Sequence, residues 1–367
     1  MEKVRFGKTG LMVSRVAFGG IPIMRLTKAG AAHLLQQVIG LGVNFIDTAN
    51  GYADSEEKIG EAIKGIKRDS LVIASKSLAN DKKTFNEHLD LSLARLGVEY
   101  VDIYQLHNVA DNARRDAVFA PGGAMEGLSE AVKAGKVRFP GISSHSIPLA
   151  LEFMKSGAFA SIQLPFNFID CAAAEEAIPL AEKLDMGFIA MKPMGGGLLS
   201  DAGLSFRFLG TYGNIVPDPG IEKIEEIREI IGIVEKNEPL SAQDKGEIEK
   251  IKAELGSTWC RRCDYCQPCP QGIRISMALN VKSIFKRMTV ERARTFVEVP
   301  IEKAKTCLEC GECVKRCPYH LDIPALLKER IKEYPPQCVS QAFPPEAPAG
   351  GKIKPLPVPP EPPPTAR

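Results

Sequence analysis

Between Val13 and about Gly220 the chain alternates short β-rich runs with segments whose apolar residues recur every three to four positions. The β-rich runs are VSRVAFGG, VNFIDTA, SLVIASKS, VDIYQLH, FPGISSH, SIQLPFNF, GFIAMKPM and GNIVPDPG, and helical spacing is clearest over 28–40, 83–96 and 124–135. Eight strand–helix alternations in about 200 residues predict an α/β chain folded as a (β/α)8 TIM barrel. A doubly wound open sheet is the competing arrangement, and the lack of a GxGxxG after the first strand counts against it. The alternation ends after a helix predicted over 222–235. The polar stretch NEPLSAQDKGEIEKIKAELG then reads as a linker with one helix, and helical spacing returns over 277–287, 290–298 and 323–332. The expected division is a barrel over 1–236, a linker over 237–258, a small, mainly α-helical domain over 259–333 and a tail over 334–367. From Pro335 that tail is so rich in proline that it should be extended and polyproline-like, a solvated segment with the alternative of docking on a partner.

Composition narrows the function classes. The chain has 367 residues, 44% of them hydrophobic, with 47 Lys and Arg against 45 Asp and Glu, a formal charge of +2. That is enough apolar material for a core. No run reaches the ~18 apolar residues of a membrane span, so no transmembrane segment is expected. The N-terminal MEKVRFGKTGLMVSR scatters its charges where a secretory signal would have a continuous apolar stretch. Near-neutral charge also lacks the basic footprint of a nucleic-acid binder, and no nucleic-acid partner is expected.

Eight of the ten cysteines lie in two tight runs. CRRCDYCQPCP carries Cys260, Cys263, Cys266 and Cys269, and CLECGECVKRCP carries Cys307, Cys310, Cys313 and Cys317, each run ending in Cys-Pro. Ligand spacing of this kind, in a chain too long for a small disulfide scaffold, points to a reducing, cytoplasmic compartment and a metal site. A CxxCxxC loop wraps three corners of an iron-sulfur cube and sends its fourth Cys to the other cluster. The expected ligands are Cys260, Cys263, Cys266 and Cys317 for one 4Fe-4S cluster, and Cys307, Cys310, Cys313 and Cys269 for the other. A zinc ribbon is the competing reading, but it needs two spaced pairs and not two runs of four. The runs resemble bacterial two-cluster ferredoxins, and the 37 residues between them, with helical spacing, resemble the α-helical ferredoxin type. The first run departs by having two residues, not three, before Cys269. Cys171 and Cys338 read as bystanders.

In a (β/α)8 barrel the reacting groups sit at the C-terminal ends of the strands. Asp47 and Tyr52 follow VNFI, Lys76 follows LVIAS and His107 closes VDIYQL, so four titratable residues are expected at one mouth. With them, FGKTGLMVSRVAFGG, DTANGYADSEEKIGEAI, IASKS, YQLH and VRFPGISSH make residues 1–235 resemble the aldo-keto reductase family. The resemblance implies an oxidoreductase that moves a hydride between a nicotinamide and a small carbonyl or alcohol, with Tyr52 as proton donor. A neighbouring ammonium favours a phenolate, so Lys76 is expected to lower the Tyr52 pKa, with Asp47 holding Lys76 and His107 orienting the carbonyl. It also assigns Ser143, Ser144 and Gln163 to the nicotinamide carboxamide, and Lys192, Gly195, Gly196, Gly197 and Gly220 to the cofactor. Ser144 stands where many relatives have Asn.

Two features keep the cofactor and the role open. Asp218 and Glu222 fall where the family places basic residues for the NADPH 2′-phosphate, and anions there are repulsive. NADH, NADPH or no nicotinamide remain alternatives, as does a flavin held by Gly195–Gly197. A nicotinamide moves two electrons and a cluster one, so the two halves need a one-electron intermediary or a redox partner. The leading expectation is an iron-sulfur aldo-keto reductase. The alternative is an electron-transfer subunit of a larger complex whose barrel is a docking platform. No arginine pair suited to a substrate carboxylate is visible in the barrel loops.

Overall fold

A computed structural model describes residues 1–334; the proline-rich tail from Pro335 and Cys338 lie outside the described residues. Strands β1 (Lys3–Arg5) and β2 (Met12–Ser14) form an antiparallel hairpin. The eight predicted strands follow as β3 (Phe18–Gly19), β4 (Phe45–Asp47), β5 (Val72–Ser77), β6 (Val101–Leu106), β7 (Val137–Ser143), β8 (Ser161–Pro165), β9 (Gly187–Met191) and β10 (Ile215–Asp218), each parallel to the next. Gly19 bridges in parallel to Gly220, and the Ala17 and Gly19 amides donate to the Pro217 and Pro219 carbonyls at 2.9 and 2.8 Å, which closes the barrel. Every residue of β5 and β6 is buried, as expected of parallel strands lined inside and covered by helices outside. The hairpin plugs the N-terminal end: Phe6, Leu11 and Val13 pack on Phe45, Val72 and Ile103, with the Phe6 and Phe45 rings edge to face at 5.4 Å.

The helices follow the apolar spacing closely. Lys28–Gly40 is as predicted, Lys82–Leu96 starts one residue early because Asp81 caps it at the Thr84 amide, and Ala124–Lys133 stops two residues short. The last barrel helix is Ile224–Lys236. The stretch read as a linker is packed on the barrel: within helix Ala242–Leu255, Asp244 pairs with Arg207 at 2.8 Å, and Ile248 joins Phe168, Leu199, Leu204 and Trp259 in one apolar cluster.

The C-terminal region has its own core, drawn from Ile275, Ile284, Val297, Ile301, Leu321 and Leu326 among others. The helix predicted over 277–287 is two, Ile275–Leu279 and Val281–Arg287. The break at Asn280 has a clear use, since its amide donates to the Ser276 carbonyl at 2.9 Å and to the Cys260 carbonyl at 3.1 Å, holding the start of the first cysteine run. Val290–Ala304 runs six residues past the predicted end, through Pro300, and Ile323–Glu333 closes the unit.

Candidate active site and cysteine centres

Asp47 ends β4 and Lys76 lies one strand over on β5, so their side chains meet inside the barrel mouth. Lys76 Nζ donates to Asp47 Oδ2 at 2.5 Å and to the Thr48 carbonyl at 2.7 Å, with both side chains 3% exposed. Tyr52 is carried by the turn after β4. Its ring lies 5.4 Å from Lys76 Nζ and meets the His107 ring edge to face at 5.8 Å. His107 follows β6, and its Nδ1 is buried without a hydrogen-bond partner. The four residues expected at one mouth are therefore together.

Their electrostatics depart from expectation in one respect. Burial pushes the Tyr52 phenol up to about 12, more than Lys76 lowers it, and Asp47 and Asp218 push the same way. The expected drop does not occur because desolvating a phenolate outweighs one ammonium already engaged by Asp47. Burial also opposes the Lys76 ammonium, but Asp47, Tyr52 and Asp218 outweigh it and Lys76 is raised. Burial, then Lys76, Arg114 and Arg262, hold His107 well below its usual value, so it is neutral near pH 7.

Asp218 belongs to this interior. From the end of β10 its Oδ2 accepts from Gln163 Nε2 at 3.2 Å, and the same amide reaches Asp47 Oδ2 at 3.4 Å. Burial and then the Asp47 charge raise Asp218 well above the carboxylate range. Glu222 meets Arg25 at 3.4 Å. The expected anionic pair beside an adenosine phosphate is thus not formed, because Asp218 points into the barrel and Glu222 already faces a cation. Asp218 was legible by the same rule as Asp47, an acidic residue at a strand end.

The residues assigned to the nucleotide are mostly engaged by protein. Ser143 Oγ accepts the Asn108 amide at 2.8 Å, and Ser144 Oγ donates to the Val109 carbonyl at 2.7 Å while accepting the Ser146 amide at 3.0 Å. Lys192 Nζ contacts His145 Nε2 at 2.7 Å. Gln163 Oε1 is a buried acceptor with no partner, and it fits a carboxamide N–H. The glycine turn does not fit a phosphate cradle. A Cβ on Gly195 would run into the Trp259 ring, one on Gly196 would stand 2.7 Å from Ser283 Oγ, and Lys286 Nζ donates to the Gly197 carbonyl at 2.8 Å. These three glycines admit the C-terminal unit, and a flavin phosphate meets the same obstacle. Gly220 likewise lets Pro22 approach, at 2.8 Å from a built Cβ.

The C-terminal unit therefore roofs the mouth. Besides Trp259, Ser283 and Lys286, its Arg292 Nη2 donates to the Gly51 carbonyl, next to Tyr52, at 3.0 Å, and Arg25 of the barrel donates to the Lys286 carbonyl at 3.1 Å. This roof, with Arg262 and Arg287 beneath it, is the part of the site that sequence reading missed; basic residues beside cysteine runs carry no local mark of what they face.

The cysteines fall into two neighbourhoods. Cys269 of the first run lines one cavity with Cys307, Cys310 and Cys313 of the second, beside Ile273 and Leu327. Arg316 draws them together, donating to the Gln267 and Pro268 carbonyls at 3.0 and 2.9 Å from within the second run. Burial raises Cys263 to about 11, and its neighbours include Cys317; burial raises Cys266 further, with Cys260 and Cys263 beside it. Among the described residues no three His, Cys, Asp or Glu side chains converge on a single metal-ion position. Thiols spread around a cavity suit a polynuclear cluster, which takes one cysteine at each corner. Cys171 is half-buried in a barrel loop, apart from both sets.

Each part matches a known family. Residues 259–322 match the 4Fe-4S dicluster domain and residues 15–207 the aldo/keto reductase family. An uncharacterised oxidoreductase of Bacillus subtilis, YqkF, is 30% identical over 217 residues, covering 55% of this chain and 67% of its own. The NADH-specific methylglyoxal reductase of Escherichia coli K12 is 27% identical over 230 residues, covering 54% and 69%. An aldo-keto reductase from Klebsiella pneumoniae, solved with NADPH, shares the barrel fold with a TM-score of 0.58 at 21% identity, over 68% of this chain and 95% of that one. With its closed eight-stranded barrel and this family match, the chain belongs to the aldo/keto reductase family, as an oxidoreductase that carries a 4Fe-4S domain at its C-terminal side.

Proposed function

We propose that the barrel interconverts a small carbonyl compound and its alcohol, with Tyr52 as general acid and base. The observation that carries this is the Asp47–Lys76 ion pair set 5.4 Å from the Tyr52 ring, with the neutral His107 edge-on beside it. A nicotinamide, when bound, supplies the hydride for the carbonyl carbon, and Gln163 Oε1 is the acceptor that would hold its carboxamide. Tyr52 keeps its proton through the neutral range and gives it to the carbonyl oxygen. Lys76 then stabilises the phenolate that forms, a charge that develops in a site already organised for it. His107 positions the oxygen from the other side. Relatives include an enzyme named NADH-specific and one solved with NADPH, and titration with each nicotinamide decides between them.

We assign Cys260, Cys263, Cys266 and Cys317 to one 4Fe-4S cluster and Cys269, Cys307, Cys310 and Cys313 to the other, within a ferredoxin-type unit over 259–333 that follows a barrel over 1–236. The shared cavity and the nearness of Cys317 to Cys263 support the crossed pairing. Such clusters fit a reducing compartment, the basis for proposing a cytoplasmic protein. Among the described residues no helix is long and apolar enough to cross a membrane.

One observation favours a second reading, an electron-transfer subunit with a redox partner: the glycine turn is covered by Trp259 and Lys286. Titrating the anaerobically purified holoprotein with NADH and NADPH while following cluster bleaching and carbonyl turnover separates the two. Turnover lost in Tyr52→Phe supports the reductase; turnover unchanged in that variant sinks it.

A further inference from the structure

The barrel loops lack an arginine pair for a substrate anion, yet the roofed mouth holds two arginines, Arg262 and Arg287, and a lysine, Lys192, that burial and those arginines push well below its ordinary value. Arg287 ends helix Val281–Arg287 with its Nε fixed on the Ser283 carbonyl at 2.9 Å, and its Nη2 is buried with no partner. Arg262 lies between Cys260 and Cys263, and its hydrogen-bond partner is the Met277 sulfur at 3.5 Å, a weak acceptor. Lys192 faces the neutral His145. None of the three forms a salt bridge among the described residues. Arg287 sits where the C-terminal unit meets the barrel mouth, its Nε 3.3 Å from a Cβ built on Gly196, while Arg292 of the same unit reaches the Gly51 carbonyl next to Tyr52, and Arg262, Arg287 and Tyr52 are near enough for their charges to act on one another.

A cation held out of water without a counter-charge is costly. Asp264 offsets Arg262 and Asp170 offsets Lys192 in part, but no carboxylate offsets Arg287. An iron-sulfur cluster held by four thiolates would be anionic, and one held by Cys260 would offset the neighbouring Arg262 further. No cysteine is among the groups whose charge acts on Arg287, so a cluster leaves that residue without an offset. Burial and Arg262 pull Arg287 down to about 10, which leaves it charged at neutral pH.

Resting on the reductase reading above, we propose that the C-terminal unit completes the substrate site: Arg287, seconded by Arg262, binds an anionic group, carboxylate or phosphate, carried by the carbonyl substrate above Tyr52. The substrate class is then a small oxo acid or a phosphorylated carbonyl compound. The appended unit acts as a specificity lid as well as a cluster carrier, and Arg287 is positioned by the same Ser283 that packs on Gly196.

The test uses full-length, anaerobically reconstituted protein with 2-oxobutanoate as the anionic substrate, butanal as its neutral counterpart, and oxalate as a non-reacting probe read by calorimetry. The expected result is a preference for 2-oxobutanoate in kcat/KM that falls at least about 30-fold in Arg287→Met and is partly restored in Arg287→Lys, with oxalate binding lost in step and iron content unchanged. A ratio that stays within twofold overturns the proposal. So does a rise in KM for NADH or NADPH with the ratio unmoved, which would give the anion site to the nucleotide. Oxalate binding that needs Arg287 in a protein without carbonyl turnover would retire the reductase reading and keep the anion site; turnover without oxalate binding would do the reverse.

Discussion

Lys76→Met isolates what the buried ion pair does for Tyr52. The Nζ-to-ring distance of 5.4 Å gives an attraction of about 3 kcal/mol between ammonium and phenolate at an effective dielectric of ~20, or roughly two pH units. Without it the phenol moves upward from about 12, so alcohol oxidation, which needs the phenolate, should fall ~100-fold at a fixed pH between 8 and 10. The same change strands Asp47. Its remaining donors are the Gln163 and Gln105 amides at 3.4 and 3.5 Å, and removing one partner of a buried pair costs about 3–5 kcal/mol of stability. The assay is a double-mutant cycle on the reconstituted protein, with pH–rate profiles for alcohol oxidation and urea unfolding followed by circular dichroism. Adding Asp47→Asn should recover most of the lost stability and none of the lost rate, because it removes the stranded charge without returning the ammonium. Equal stability of the single and double variants, or an oxidation rate that does not move with Lys76, would refute this account.

Further outcomes follow from the same geometry. Because burial holds Tyr52 near 12, carbonyl reduction should be flat from pH 6 to 10 with respect to this group, and a Tyr52-dependent limb inside that range in a pH–rate profile would contradict it. Asp218 is raised in the folded state, so its contribution is full below the ordinary carboxylate range and is lost as pH climbs through the folded value. Asp218→Asn should therefore raise the melting temperature increasingly from pH 4 to pH 8, measured by scanning fluorimetry. Gly195→Ala puts a Cβ against Trp259 at a φ of +60° and should cost about 1–3 kcal/mol, seen as faster proteolysis between barrel and C-terminal unit. Cys317→Ser should lower iron from about eight to about four atoms per chain by colorimetric assay, sparing the cluster assigned to Cys269, Cys307, Cys310 and Cys313.

The eight barrel strands, most helix boundaries, the two cysteine runs and the clustering of Asp47, Tyr52, Lys76 and His107 were legible in the sequence alone. Each is a local signal: period two or 3.6 for the elements, ligand spacing for the cysteines, strand-end position for the tetrad. Residues brought together by the barrel's regular order needed no coordinates, because parallel neighbours in a closed sheet place consecutive strand ends at one rim. What only tertiary structure decided involves partners far apart in the chain. Trp259 on Gly195, Lys286 on Gly197 and Arg292 on Gly51 turn an expected phosphate loop into a docking surface, and nothing within either segment announces the other. The Tyr52 pKa followed the same course. Residue types predicted that Lys76 would lower it, but burial under the roof sets its direction, and burial is a sum over all neighbours that no local pattern contains.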